Sequence, residues 1–219
     1  MRSVSHPPAG PQAARHLINL AELEAAYGDP AAAPAASEAS MAVIHGLGVR
    51  LFEGYAHYCV GFVAHRGGRL EEAEGAYREA LVCAREVCSP GLEQGLLTRL
   101  GRLAADRGRL AEARALLDEV SPALLGCPRV FDRTLLECQL GVLASLEGDA
   151  EEARIRFDAA EGALREIGAV EPLSLVLADR VEAELRLGGE PGPALAEALA
   201  LADQMGVPPG AWLRRRLED

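Results

Sequence analysis

Residues 61–77 read GFVAHRGGRLEEAEGAY, residues 101–117 read GRLAADRGRLAEARALL, and residues 141–157 read GVLASLEGDAEEARIRF. Each begins 40 residues after the last, and each follows one pattern. Gly61, Gly101 and Gly141 open the stretches; Gly68, Gly108 and Gly148 stand at their centres. Ala73, Ala113 and Ala153 follow, and Tyr77, Leu117 and Phe157 close them. The lattice extends outward to Gly28 and Gly188, with Ala21 and Val181 before them. Beyond those glycines come Ala33 and Ser37 at one end, and Pro193, Ala194 and Glu197 at the other. The outer copies are degraded, as the terminal units of a stacked array commonly are.

Each copy has a physical reading. Leu97, Leu100, Gly101 and Ala104 fall at i, i+3, i+4 and i+7, one face of a helix, and Leu140, Gly141 and Ala144 repeat that face. Gly108 and Gly148 then end their helices, because Gly enters the left-handed region without penalty. A second helix follows, with stripes Leu110, Ala113, Leu117 and Ala153, Phe157, Ala160. Tiny residues on both helices allow close approach, and the larger residue four positions on fills the space beside them. Breaker clusters separate the copies: Ser89-Pro90-Gly91, Gly126-Cys127-Pro128, Gly168 to Pro172, and Gly206 to Pro209. The pattern predicts an all-α chain, an α-solenoid of about five antiparallel helix hairpins, with helices of about 15–19 residues. Its expected organisation is a loose leader over 1–14, a solenoid over 15–209 and a short C-terminal capping helix over 210–219. The solenoid divides into units 15–48, 49–88, 89–128, 129–168 and 169–208.

The middle copies resemble tetratricopeptide repeats. Gly61, Gly101 and Gly141 match that family's small-residue position in the first helix. Ala73, Tyr77 and Ala80, then Ala113 and Leu117, then Ala153, Phe157 and Ala160 match its Ala, aromatic and Ala positions in the second. The period is 40 rather than 34, His57, Leu97 and Glu137 replace the early aromatic, and the late Pro is displaced. Such long variants are similar to the repeat regions of large bacterial regulators, including MalT-like transcription activators. The resemblance covers about residues 15–205. It implies a concave surface lined by first helices, where a partner would sit.

Composition agrees with a helical chain. Of 219 residues, 40 are Ala and 33 are Leu, and only 9 are aromatic. The net charge is −11, and every basic residue outside the five His is Arg, with no Lys. Nucleic-acid binding needs a basic face, which so acidic a chain is not expected to offer. No apolar run approaches the ~18 residues of a membrane span. Met1 to Ala14 has no apolar core of a secretory signal. Cys59, Cys83, Cys88, Cys127 and Cys138 contain no CxxC pair, so free thiols in a reducing cytoplasm are expected. Cys59, Cys83, Cys88 and Cys138 read as small core residues, and Cys127 as the most exposed thiol.

The candidate binding residues lie in the second and third units. Tyr55, Tyr58, Phe62 and His65 form one helical stripe, while Val60, Gly61 and Ala64 serve packing. Arg66, Arg99 and Arg102 stand at nearby repeat positions. Tyr, Phe and Arg are enriched at interface anchors, and Arg holds carboxylates with a two-pronged grip. The expectation is a groove for a partner protein or peptide with an apolar anchor and an acidic group. The competing expectation is that Tyr55 and Phe62 pack between units. A Lys-based carboxylate clamp is excluded by the absence of Lys.

No P-loop, H-E-x-x-H or dinucleotide fingerprint occurs, so no enzyme, cofactor or metal is expected. His57 and His65 would lie about 12 Å apart along one helix, too far to share a zinc ion. Glu71-Glu72 and Glu151-Glu152 fit the positive ends of second helices. Arg214-Arg215-Arg216, flanked by Trp212, Leu213 and Leu217, fits the capping helix. The functional expectation is a non-catalytic interaction scaffold; the alternative is a ligand-sensing or regulatory module of a transcription activator or signalling protein.

Overall fold

The computed structural model describes residues 10–29, 31–126 and 128–218. Among them the chain forms eleven helices and no strand: α1 (Pro11–Tyr27), α2 (Ala32–His45), α3 (Arg50–Arg66), α4 (Leu70–Glu86), α5 (Pro90–Asp106), α6 (Leu110–Leu124), α7 (Val130–Glu147), α8 (Ala150–Glu166), α9 (Val170–Arg186), α10 (Gly192–Gln204) and α11 (Trp212–Glu218). Helices pack in consecutive pairs, so the fold is an all-α helical repeat of the solenoid class. The chain falls into two compact units, one ending at Glu93 and one beginning at Gln94.

The 40-residue lattice has a structural counterpart at the turn inside each pair. Gly68, Gly108, Gly148 and Gly188 adopt φ of 73°, 73°, 83° and 75°. The next N–H then reaches back five residues: Arg69 to Ala64 O at 2.9 Å, Arg109 to Ala104 O at 2.8 Å, Asp149 to Ala144 O at 2.9 Å, and Gly189 to Glu184 O at 2.8 Å. This is the Schellman arrangement, which satisfies carbonyls that the helix end leaves unpaired. Gly28 departs from it, with φ −108°, so the first copy is degraded in conformation as well as in sequence.

In the first unit, α1 pairs with α2 and α3 with α4, while α2 and α1 also pack on α3. Its core holds Ala14, Ile18, Ala21, Ile44, Ala56, Cys59 and Phe62. The helix begins before Arg15, so residues 11–14 belong to α1 rather than to a loose leader. Pro11 is tolerated there because a first-turn N–H has no intrahelical partner to lose. The rest of the expected leader, residues 1–9, lies outside the described residues.

In the second unit, α7 packs on α6, α8 and α9, and α10 and α11 pack on α9. Leu96, Leu103, Leu117, Leu136, Leu143, Leu164, Leu177 and Leu213 are fully buried. The helices of the pairs run from 13 residues in α10 to 18 in α7. The two shortest, α2 and α10, fall below the expected length. Gly46 cuts α2 short, and Gly188-Gly189-Glu190-Pro191 delays α10.

The notch inside each of the three middle pairs is tight. A Cβ on Gly61 would lie 2.5 Å from Tyr77 Cδ1, one on Gly101 2.8 Å from Leu117 Cδ2, and one on Gly141 3.1 Å from Phe157 Cε2. The large residue of the second helix thus occupies the volume a side chain on the first would fill.

Candidate functional site

In the first unit the ring stripe of α3 divides between surface and core. Tyr55 is 39% exposed, whereas Phe62 is 6% exposed and belongs to the core cluster. Tyr58 and His65 are half-buried and flank Tyr77, the ring that fills the notch at Gly61. The Tyr58 and Tyr77 centroids lie 6.1 Å apart, and His65 meets Tyr77 edge-on at 6.3 Å. Tyr58 and His65 stand three before and four after Gly61, on the same helical face, which is why packing of the pair recruits them. The half-buried Arg66 lays its guanidinium 5.2 Å above the Phe62 ring, a favourable cation–π distance. Burial of His57, on the same helix, pushes its pKa down from the ordinary 6.5.

In the second unit Arg99 and Arg102 have different roles. Arg99 is half-buried on α5. Arg102 is spent within the protein. Its Nε donates to Asp106 Oδ1 at 2.8 Å, and its Nη1 to Asp179 Oδ1 at 3.0 Å and Gln139 Oε1 at 3.2 Å. Burial opposes its charge, but Asp179 and Asp106 outweigh burial and hold its pKa above the ordinary arginine value. Asp179, 7% exposed, is the hub of this cluster. Cys138 Sγ donates to its Oδ2 at 3.2 Å, and Arg216 Nη1 approaches its Oδ1 at 2.8 Å. Burial and the Asp179 charge push the Cys138 thiol well above its usual range.

The sequence reading did not anticipate this cluster. One signal was present: Gln139 and Asp179 stand one period apart, each two residues before the small or apolar position of its copy, Gly141 and Val181. A polar residue kept at a core position needs a partner. The partners were hidden because Arg102 and Asp179 are 77 positions apart.

The cysteines also divide. Cys59, Cys83 and Cys138 are buried and free, and burial pushes the Cys59 thiol up to about 12. Cys88 corrects the expectation of a core residue: it is exposed, past the end of α4, with φ of 51°. Cys127 lies outside the described residues. Glu71, Glu72, Glu151 and Glu152 occupy the first turns of α4 and α8. Among the described residues no cluster of three or more His, Cys, Asp or Glu could hold a metal ion, and no helix is long and apolar enough to cross a membrane. No protein-family model matches the chain, and no curated protein matches it in sequence.

Proposed function

We propose that the chain is a non-catalytic interaction scaffold that captures a partner protein or peptide on the exposed face of its first helices, α3 above all. The observation that carries this reading is the surface edge of the α3 stripe. Tyr55 stays exposed while Phe62, Tyr58 and His65 anchor the helix against its neighbours. A rigid helix offering an aromatic side chain loses little conformational freedom on binding, which favours recognition by preformed surfaces. The resemblance to tetratricopeptide repeats supports the same reading, since that family binds partners on its first helices. Arg102 is engaged inside the protein and is not offered to a partner. The free thiols and the resemblance to bacterial regulators support a bacterial, cytoplasmic setting.

The test is affinity capture from the native cell with mass spectrometry, followed by binding of the purified partner. Tyr55→Ala removes capture and leaves helicity intact. Tyr58 and Phe62 are left unchanged because they hold the helix in place. Capture by Tyr55→Ala at the wild-type level overturns the assignment to α3. A second reading, a regulatory module of a larger signalling protein, draws on the ionic docking of α11 on α9.

A further inference from the structure

The last helix docks through an ionic contact that a simple apolar cap would not need. Leu213 and Leu217 of α11 are buried, as a cap requires. Arg216, one residue before Leu217, enters the protein as well. Its Nη1 lies 2.8 Å from Asp179 Oδ1, and its Nε bonds Glu182 one turn further along α9. The Trp212 ring covers the guanidinium at 4.7 Å from Cζ. The carboxylate pair at i and i+3 on α9 accepts a guanidinium, and Trp212, four residues before Arg216 on the same helix, travels with it.

The site does not depend on Arg216 for its charge balance. Asp179 keeps Arg102 on the same oxygen at 3.0 Å, and Cys138 on the other at 3.2 Å. Removing Arg216 therefore leaves no buried carboxylate without a cation. The helix does depend on the site. Seven residues are too few to hold a helix alone, so α11 is helical because it is docked. The Pro208-Pro209-Gly210 link joins it to the body without a continuous helix, with Gly210 at φ of 85°.

We propose that α11 is a tethered ligand, a reversible latch whose Arg216 fills a guanidinium site on α9, and whose release opens that site to an arginine-bearing apolar helix. The proposal stands independently of partner capture by α3.

Two readouts on the full chain test it. Cys138 lies against Asp179, so its alkylation rate reports latch opening, while Cys88 serves as the exposed control. Arg216→Ala speeds Cys138 labelling by at least about tenfold with helicity retained, and Arg216→Lys, a point charge without the fork, falls between it and wild type. A synthetic peptide of residues 207–219 binds Arg216→Ala at least about tenfold more tightly than wild type, and the same peptide with Ala for Arg216 does not. Unchanged labelling in Arg216→Ala, or equal peptide affinity in both chains, overturns the latch. Loss of global helicity in both variants also overturns it, because Arg216 would then be part of the folding core.

Discussion

At Gly61, Gly101 and Gly141 the fold uses the absence of a side chain, and the three notches differ in depth. Alanine gains about 1 kcal/mol of helix propensity over glycine, while overpacking costs about 1–3 kcal/mol. The tighter notch decides the sign. Gly61→Ala meets the Tyr77 ring at 2.5 Å and has Tyr58 and His65 behind it. It loses about 2 kcal/mol in denaturant unfolding, whereas Gly141→Ala, at 3.1 Å from Phe157, stays within about 0.5 kcal/mol of wild type. These glycines were legible in the sequence because a tiny residue and a large one recur at fixed spacing. Cys88 was not. It shares a lattice position with Gly48 and Gly168, and all three have positive φ. Composition there says cysteine; only the backbone says glycine. Cys88→Gly therefore gains about 1 kcal/mol by thermal unfolding, by relieving a left-handed non-glycine residue.

His57 gives a pH dependence. Burial lowers its folded-state pKa, and Glu79, His45, Arg50 and Glu53 act on it as smaller influences. Below the ordinary 6.5 the unfolded chain therefore binds the proton more readily than the folded one. Stability falls as pH drops from 6.5 towards the lowered folded value, and His57→Gln loses less over the same window, as unfolding at a series of pH values reads directly.

Among the elements, α8 differs from α4 and α6 in how it starts. Asp149 accepts from the Glu152 N–H at 3.0 Å, while Arg69 and Arg109 make no side-chain cap at the same lattice position. Asp149→Ala costs about 1 kcal/mol on that account, measured by urea unfolding. The helices were legible because their apolar period and their glycine ends agree. The docking of α11 was legible only in part. Trp212, Leu213 and Leu217 read as a cap, but the partners of Arg216 are on another helix, and no spacing in the sequence points to them. Asp179→Ala is the severe change at this scale. It takes from Arg102 and Arg216 the buried carboxylate they share, leaving Asp106 beside Arg102 and Glu182 beside Arg216, and costs about 3 kcal/mol.

For the whole molecule, the forty-residue lattice orders both units, and the α3 face acquires its meaning from it. The rings that sequence alone placed on one stripe are divided by the notch at Gly61, which draws Tyr58 and His65 towards Tyr77 and leaves Tyr55 outside. Spacing could reveal the stripe but not that division, which depends on the depth of one contact between α3 and α4. Amide hydrogen exchange across the full chain tests the lattice most directly. The first bonded amides of the second helices are those of Ala73, Ala113 and Ala153. Fast exchange is predicted at residues 70–72, at 110–112 and at 150–151, with Glu152 slowed by its Asp149 cap. Slow amides running unbroken through these three segments would contradict the account.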